Sequence, residues 1–236
     1  MLRTSNHRYL KFIGNSIMKP YEVYLFLYNA IQVLGWGSIL LKSINWLSTS
    51  ETYKDLYNEN VLTLQIFQTA AILEIVHCAI GFVRSPVGTT LMQVYSRVFV
   101  VWGILYAVET SQESIGVPML IFAWSITEVI RYSFYALSLI KTVPYVLIWM
   151  RYTFFIVLYP LGASGELFTM LAGLDEIYKK KIFTLEMPNN LNFAFSYWWY
   201  VVILCLLYIP GFPKMYFYMF GQRKKVLKVD TTKKTK

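Results

Sequence analysis

Arg151–Leu167 reads RYTFFIVLYPLGASGEL. It begins as an apolar run and carries two reactive side chains, Tyr159 and Glu166, where a lipid-facing helix carries none. A carboxylate inside a membrane segment is expensive and requires a buried partner or a function. Seven residues span almost two helical turns, so Tyr159 and Glu166 fall on nearly one face, roughly 10 Å apart along the axis. Tyr152 extends that stripe one heptad earlier.

The rest of the chain has the composition of an enclosure for such a helix. Of 236 residues 56% are hydrophobic and 15% charged, with a mean hydropathy of +0.46. A soluble domain has roughly 25% charged residues, and long apolar runs mark membrane spans. We therefore expect an all-α, polytopic membrane protein. Six spans are expected, at about 21–41, 61–83, 91–108, 117–140, 145–172 and 195–219. They divide the chain into an N-terminal arm (1–20), a membrane catalytic domain (21–220) and a basic tail (221–236).

The positive charges set the orientation. The net charge is +9, with four Lys/Arg before the first span and seven in the last 14 residues. The connections after spans one, three and five hold two, zero and three. Positive flanks are retained in the cytosol, so both termini are expected there. A basic tail beside membrane spans marks that side more simply than it marks a nucleic-acid partner, and none is expected. Two cysteines, Cys78 and Cys205, both in apolar runs, argue against a disulfide framework or a cysteine-rich zinc site. The first span has no signal-peptide character before it and is expected to be retained.

Several spans carry charge. Glu74, Arg97, Glu128, Arg131 and Arg151 join Glu166. Opposite charges at membrane depth pair inside a bundle, and structural glue is the plain reading of those outside span five. Gln93 and Arg97 share a face and can hold a carboxylate or a polar substrate group; Glu128, Arg131, Tyr132 and Tyr135 form one polar stripe. The string His77-Cys78 to Arg84-Ser85 fits the H-C-x5-R-S pattern of tyrosine phosphatases. Here it lies in an expected apolar helix, whose N–H groups are committed to helical bonds, and burial does not favour a thiolate.

Tyr159 and Glu166 are the better constellation. Dehydrating a β-hydroxyacyl thioester needs a base for the C2 proton and an acid for the hydroxyl leaving C3, shielded from water. Desolvation makes a carboxyl a better base, and a tyrosine hydroxyl can donate. Gly162, Ala163, Ser164 and Gly165 are small enough to leave room for an acyl chain, and Pro160 removes one helical hydrogen bond. The spacing equally admits an interfacial belt tyrosine and a helix-end charge.

The blocks YNAIQVLGW, LEIVHCAIGFVRSPV, QVYSRVFVVWGI, WSITEVIRYSFYAL and RYTFFIVLYPLGASGEL, across about residues 20–220, resemble the very-long-chain (3R)-3-hydroxyacyl-CoA dehydratase family, also called protein tyrosine phosphatase-like membrane proteins. The resemblance implies a six-span endoplasmic reticulum enzyme for the third step of fatty-acid elongation. It implies Tyr159 and Glu166 as the catalytic pair, in a Y-P-x-G-x-x-x-E motif that this chain matches without departure. It also implies an acyl-CoA substrate, membrane lipid surroundings, and the elongation condensing enzyme and reductases as partners. Elimination of water is redox-neutral, so neither cofactor nor metal is expected. Arg97, Arg131 and Arg151 are candidates for the thioester or the CoA phosphates. Lys233 and Lys234 look like a dilysine retrieval signal, beside the alternative of a solvated basic tail. A non-enzymatic scaffold is the other functional class; a transporter would show inverted repeats, and none is apparent.

Overall fold

The computed structural model describes residues 18–189 and 192–234, with side chains of the last helix described through Leu227. Most of the N-terminal arm and the side chains of Lys233 and Lys234 lie outside the described residues. The described chain is helical, with Leu185 and Phe195 as an isolated antiparallel bridge. Helix α1 (Pro20–Thr49) starts on Pro20, where the missing N–H is harmless, and Glu22 accepts the Lys19 N–H at 2.8 Å. Next come α2 (Leu56–Ala70), α3 (Ile72–Ala79) and α4 (Val87–Phe99), the last passing into a π-helical segment, Val100–Leu105. A short α5 (Glu109–Gln112) precedes α6 (Gly116–Leu139), α7 (Tyr145–Arg151), α8 (Phe155–Lys180) and α9 (Tyr197–Lys234).

Four stretches among the described residues are long and apolar enough to cross a membrane: Pro20–Thr49, Leu56–Ala79, Phe155–Lys180 and Tyr197–Leu227. Their boundaries depart from the sequence reading for identifiable reasons. The second span breaks at Ala71, whose N–H turns to the Thr69 carbonyl while the Glu74 N–H turns to Ala71. That strands the carbonyls of Phe67 and Ala70. Two α1 side chains capture them, Gln32 Nε2 at 3.4 Å and the Tyr28 hydroxyl at 3.1 Å. A buried carbonyl needs such a partner, so the break and the polar residues of α1 explain one another. The same span ends at Ala79 rather than running to 83, because Gly81 takes φ +79 and turns the chain. The fifth span starts at Phe155, after a separate α7, and continues to Lys180. Helix α9, at 38 residues, is about 57 Å long and outruns a hydrocarbon core of about 30 Å.

Helix α6 is the centre. It packs against α1 on one side and α8 on the other, while α9 rests on α8. Trp36 and Ile39 of α1 meet Leu120, Ile121 and Trp124 of α6 in one core. A second core joins Ile104 and Val108 to Met170 and Ile177 of α8 and Val201 of α9. The α6–α8 crossing is very close. A Cβ on Gly165 would lie 2.7 Å from the Leu120 nitrogen, and one on Gly116 would lie 2.4 Å from the Gly165 carbonyl oxygen. Small residues at such a crossing let membrane helices approach backbone to backbone. Replacing Gly165 by Val should push α6 away and cost about 1–3 kcal/mol. The check is the thermal unfolding midpoint in detergent, which should fall in Gly165→Val; an unchanged midpoint would mean that the crossing yields without strain.

Candidate active site

Pro160 lies six residues into α8 and has no N–H for the carbonyl of Ile156. That orphaned oxygen accepts the Tyr216 hydroxyl of α9 at 3.0 Å. The proline thus creates a docking point for α9, and the docked Tyr216 ring lies nearly parallel to Tyr159, with centroids 6.0 Å apart at 9°. Phe212, one α9 turn earlier, stacks on Tyr159 at 5.1 Å and 18°. Tyr159 is therefore half-buried within an aromatic stack.

Glu166 is buried on the α6 side of α8. Its Oε1 accepts the Trp124 indole N–H at 2.9 Å. Its Oε2 accepts the Tyr208 hydroxyl of α9. Tyr208 lies within electrostatic reach of both Glu166 and Tyr159. Between the helices runs a cleft of about 240 Å³, open at one side and almost wholly apolar. Ala163, Ser164 and Leu167 of α8 face Tyr208, Ile209 and Phe212 of α9 across it. Neither sequence candidate lines this cleft; each touches a residue that does, Glu166 through Tyr208 and Tyr159 through Phe212.

The small residues between them divide their work. Gly162 and Gly165 do not leave space for substrate, because a Cβ on Gly162 would sit 3.3 Å from the Ala123 Cβ and Gly165 is closed by α6. Ala163 and Ser164 are the ones that open onto the cleft.

Glu74, Arg97, Glu128 and Arg131 form one neutral network beside the site. Arg131 holds Glu74 with two nitrogens at 2.6 and 2.8 Å and reaches Glu128 with Nε at 2.7 Å. Arg97 pairs with the other Glu128 oxygen, and the Tyr132 hydroxyl donates to Glu74. Two carboxylates and two guanidiniums close on each other, as charges in a low-dielectric bundle must. Arg97 also lies 5.5 Å from the Trp124 ring centroid, so the network touches the residue that holds Glu166. Arg151, at the end of α7, stacks over Phe134 and Tyr135 and donates to the Tyr135 hydroxyl at 3.2 Å. Its Nη1 is buried without a hydrogen-bond partner.

The phosphatase-like string does not form a phosphate cradle. It is a helix end and a turn, not the continuous helix expected. Even so, the N–H groups of Ile80, Gly81, Val83 and Ser85 are spent on Val76, Cys78, His77 and Val83 carbonyls. The Cys78 thiol is buried 3.6 Å from the Thr90 hydroxyl.

Trp124 and Tyr208 were not among the sequence candidates. One aromatic among many in an apolar helix has no pattern of its own, and only the crossing of three helices brings these two to Glu166.

A family model described as protein tyrosine phosphatase-like protein, PTPLA, matches residues 68–229. The chain is 57% identical over 214 residues to the very-long-chain (3R)-3-hydroxyacyl-CoA dehydratase hpo-8 of Caenorhabditis elegans, covering 90% of this chain and 98% of that one. It is 43% identical over 204 residues to very-long-chain (3R)-3-hydroxyacyl-CoA dehydratase 2 of Homo sapiens, covering 86% and 80%. To the dehydratase PASTICCINO 2 of Arabidopsis thaliana it is 41% identical over 207 residues, covering 87% and 93%. No solved structure matches the chain.

Proposed function

We infer the chemistry of the cleft from the premise that this chain belongs to the protein tyrosine phosphatase-like, PTPLA, family. Its reaction is the dehydration of very-long-chain (3R)-3-hydroxyacyl-CoA to the trans-2-enoyl-CoA, a hydro-lyase step of fatty-acid elongation. The observation that carries the site assignment is a buried carboxylate gripped by two donors, one of which, Tyr208, lines an apolar cleft together with Phe212, the residue stacked on Tyr159.

Glu166 acts as the base and Tyr159 as the acid in our reading. The Glu166 carboxylate takes the C2 proton, the C–H electron pair passes through the thioester enolate into the C2–C3 double bond, and the C3–O bond breaks. Tyr159 protonates the departing hydroxide, so water leaves. The proton on Glu166 then returns to the Tyr159 oxygen and the enzyme is reset. Nothing is oxidised or reduced. Burial of Glu166 and the aromatic stack on Tyr159 limit bulk water at both groups, which favours proton transfer to and from substrate rather than solvent.

The acyl chain lies along Ala163, Leu167, Ile209 and Phe212 and continues into the lipid that the exposed Ile209 side chain faces. Of the three arginines assigned to the CoA end, Arg151 is the one with a guanidinium nitrogen that has no hydrogen-bond partner among the described residues. Arg97 and Arg131 are held by Glu128, and Arg97 stands behind the site, over Trp124.

For the topology we propose six spans with both termini in the cytosol. Val87–Leu105 and Gly116–Leu139 add two crossings to the four apolar helices; at roughly 28 and 36 Å they are long enough. The basic ends support the orientation, and the resemblance supports an endoplasmic reticulum membrane and an elongation condensing enzyme and reductases as partners. Purified protein in detergent, given a long-chain (3R)-3-hydroxyacyl-CoA, should form the enoyl-CoA. Tyr159→Phe should lower kcat by on the order of 10²–10⁴-fold, and wild-type-like turnover in that variant would remove Tyr159 from the mechanism.

A further inference from the structure

Resting on the reading of Glu166 as base, we propose that Tyr208 is a third catalytic residue, its hydroxyl leaving Glu166 when substrate enters and donating to the thioester carbonyl oxygen. The chemistry requires such a donor. Removing the C2 proton of a thioester moves negative charge onto the C1 oxygen, and a preorganised donor aimed at that oxygen is among the largest contributions to catalysis.

Its place is constrained by the substrate. The carbonyl oxygen is bonded to the carbon next to C2, so the donor must lie within a few ångströms of the base. Tyr208 meets that condition, because its hydroxyl is in hydrogen-bond contact with Glu166. Tyr208 also lines the cleft while Glu166, which it holds, does not, so a substrate in the cleft meets Tyr208 before the carboxylate.

The two donors on Glu166 are not equivalent. Trp124 is buried in the central helix, wedged between Glu166 and the Arg97 guanidinium. It holds Oε1 and has nowhere to go. Tyr208 belongs to α9, the least buried of the four apolar helices, and its hydroxyl needs only to rotate from the carboxylate oxygen to the incoming carbonyl. That exchange keeps the phenol hydrogen-bonded and releases a Glu166 lone pair to the C2 proton. In the elimination the Glu166 carboxylate gains the C2 proton, the developing enolate oxygen is held by Tyr208, and collapse of the enolate expels the C3 hydroxyl with the Tyr159 proton. Tyr208 keeps its own proton throughout.

The test pairs a variant with a change in the ligand. Tyr208→Phe keeps the ring in the cleft wall and removes only the donor. Its kcat for dehydration should fall on the order of 10²–10³-fold. Affinities are then measured for a saturated long-chain acyl-CoA, which cannot eliminate, and for its thioether counterpart, which lacks the carbonyl. Wild-type protein should prefer the thioester by roughly fivefold or more, whereas Tyr208→Phe should bind both alike. Retention of the thioether affinity shows that the variant is folded; should it not fold, Tyr208→Leu is measured in the same way. A variant that keeps the wild-type thioester preference overturns the proposal, as does wild-type protein with no preference. Turnover surviving in Glu166→Gln would instead sink the base assignment, while full turnover in Tyr208→Phe beside an inactive Glu166→Gln would sink only the role of Tyr208.

Discussion

Glu166→Gln should lose dehydratase turnover while keeping its fold. The expected fall in kcat is on the order of 10³-fold or more, the upper part of the range for removing a positioned base. The structure explains why glutamine is the right probe. Its amide oxygen can accept the Trp124 N–H in place of Oε1, and its NH₂ can donate to the Tyr208 oxygen, since a hydroxyl both donates and accepts. Both contacts survive with one reversed, and only the Tyr208 O–H proton loses its acceptor. What disappears is the lone pair that we assign to the C2 proton. Alanine would be a poorer probe, because it strands the indole N–H and opens a hole beside the α6–α8 crossing. Enoyl-CoA formation measured against the unfolding midpoint separates the outcomes. An inactive, stably folded variant supports the assignment. Turnover within tenfold of wild type would show that another group takes the proton.

The second large effect concerns stability. Glu128 is buried and receives Arg97 on one oxygen and Arg131 on the other. Glu128→Ala would leave two guanidiniums inside the bundle with Glu74 as their remaining carboxylate. Removing one member of a buried ionic cluster costs about 3–5 kcal/mol, chiefly because the stranded charge has lost its partner. For a chain of this size that corresponds to a drop of roughly 10 °C in the unfolding midpoint. Activity should fall as well, because Arg97 would lose the pairing that holds it behind Trp124, and Trp124 fixes Glu166. Intrinsic tryptophan fluorescence during heating in detergent reads the first effect, and the acyl-CoA assay on protein below its midpoint reads the second. Lys54→Ala is the control. Its partner Glu113 and Lys54 itself are exposed, and such pairs contribute little. An unfolding midpoint for Glu128→Ala within about 2 °C of wild type would mean that the network is not what holds these helices together.

Both effects trace to residues that a one-dimensional reading could name but not connect. The helical period alone aligns Tyr159 with Glu166 and assembles Glu128, Arg131, Tyr132 and Tyr135 into one stripe, because positions three, four and seven apart share a helix face whatever surrounds them. Hydropathy likewise identifies the membrane class, since the demand for about 20 apolar residues belongs to the bilayer and not to the fold. The same local rules mislead where a neighbouring helix intervenes. The break at Ala71 is stable only because Tyr28 and Gln32, some 40 positions earlier, supply hydrogen bonds to the freed carbonyls. Gly162 and Gly165 look like room for an acyl chain until α6 fills it, leaving Ala163 and Ser164 to form the cleft wall.

Consecutive residues are enough to give the class of molecule, the pair Tyr159 and Glu166 on one helix face, and, through the resemblance blocks, the reaction. Which charges neutralise which, and that Trp124 and Tyr208 hold the carboxylate, follows from helix packing alone. The reason is the range of the forces. Periodicity and hydropathy act within a helix and are written in consecutive residues, whereas helix crossings depend on where two backbones can touch. Here Gly116 and Gly165 set that contact, and with it the partners of Glu166.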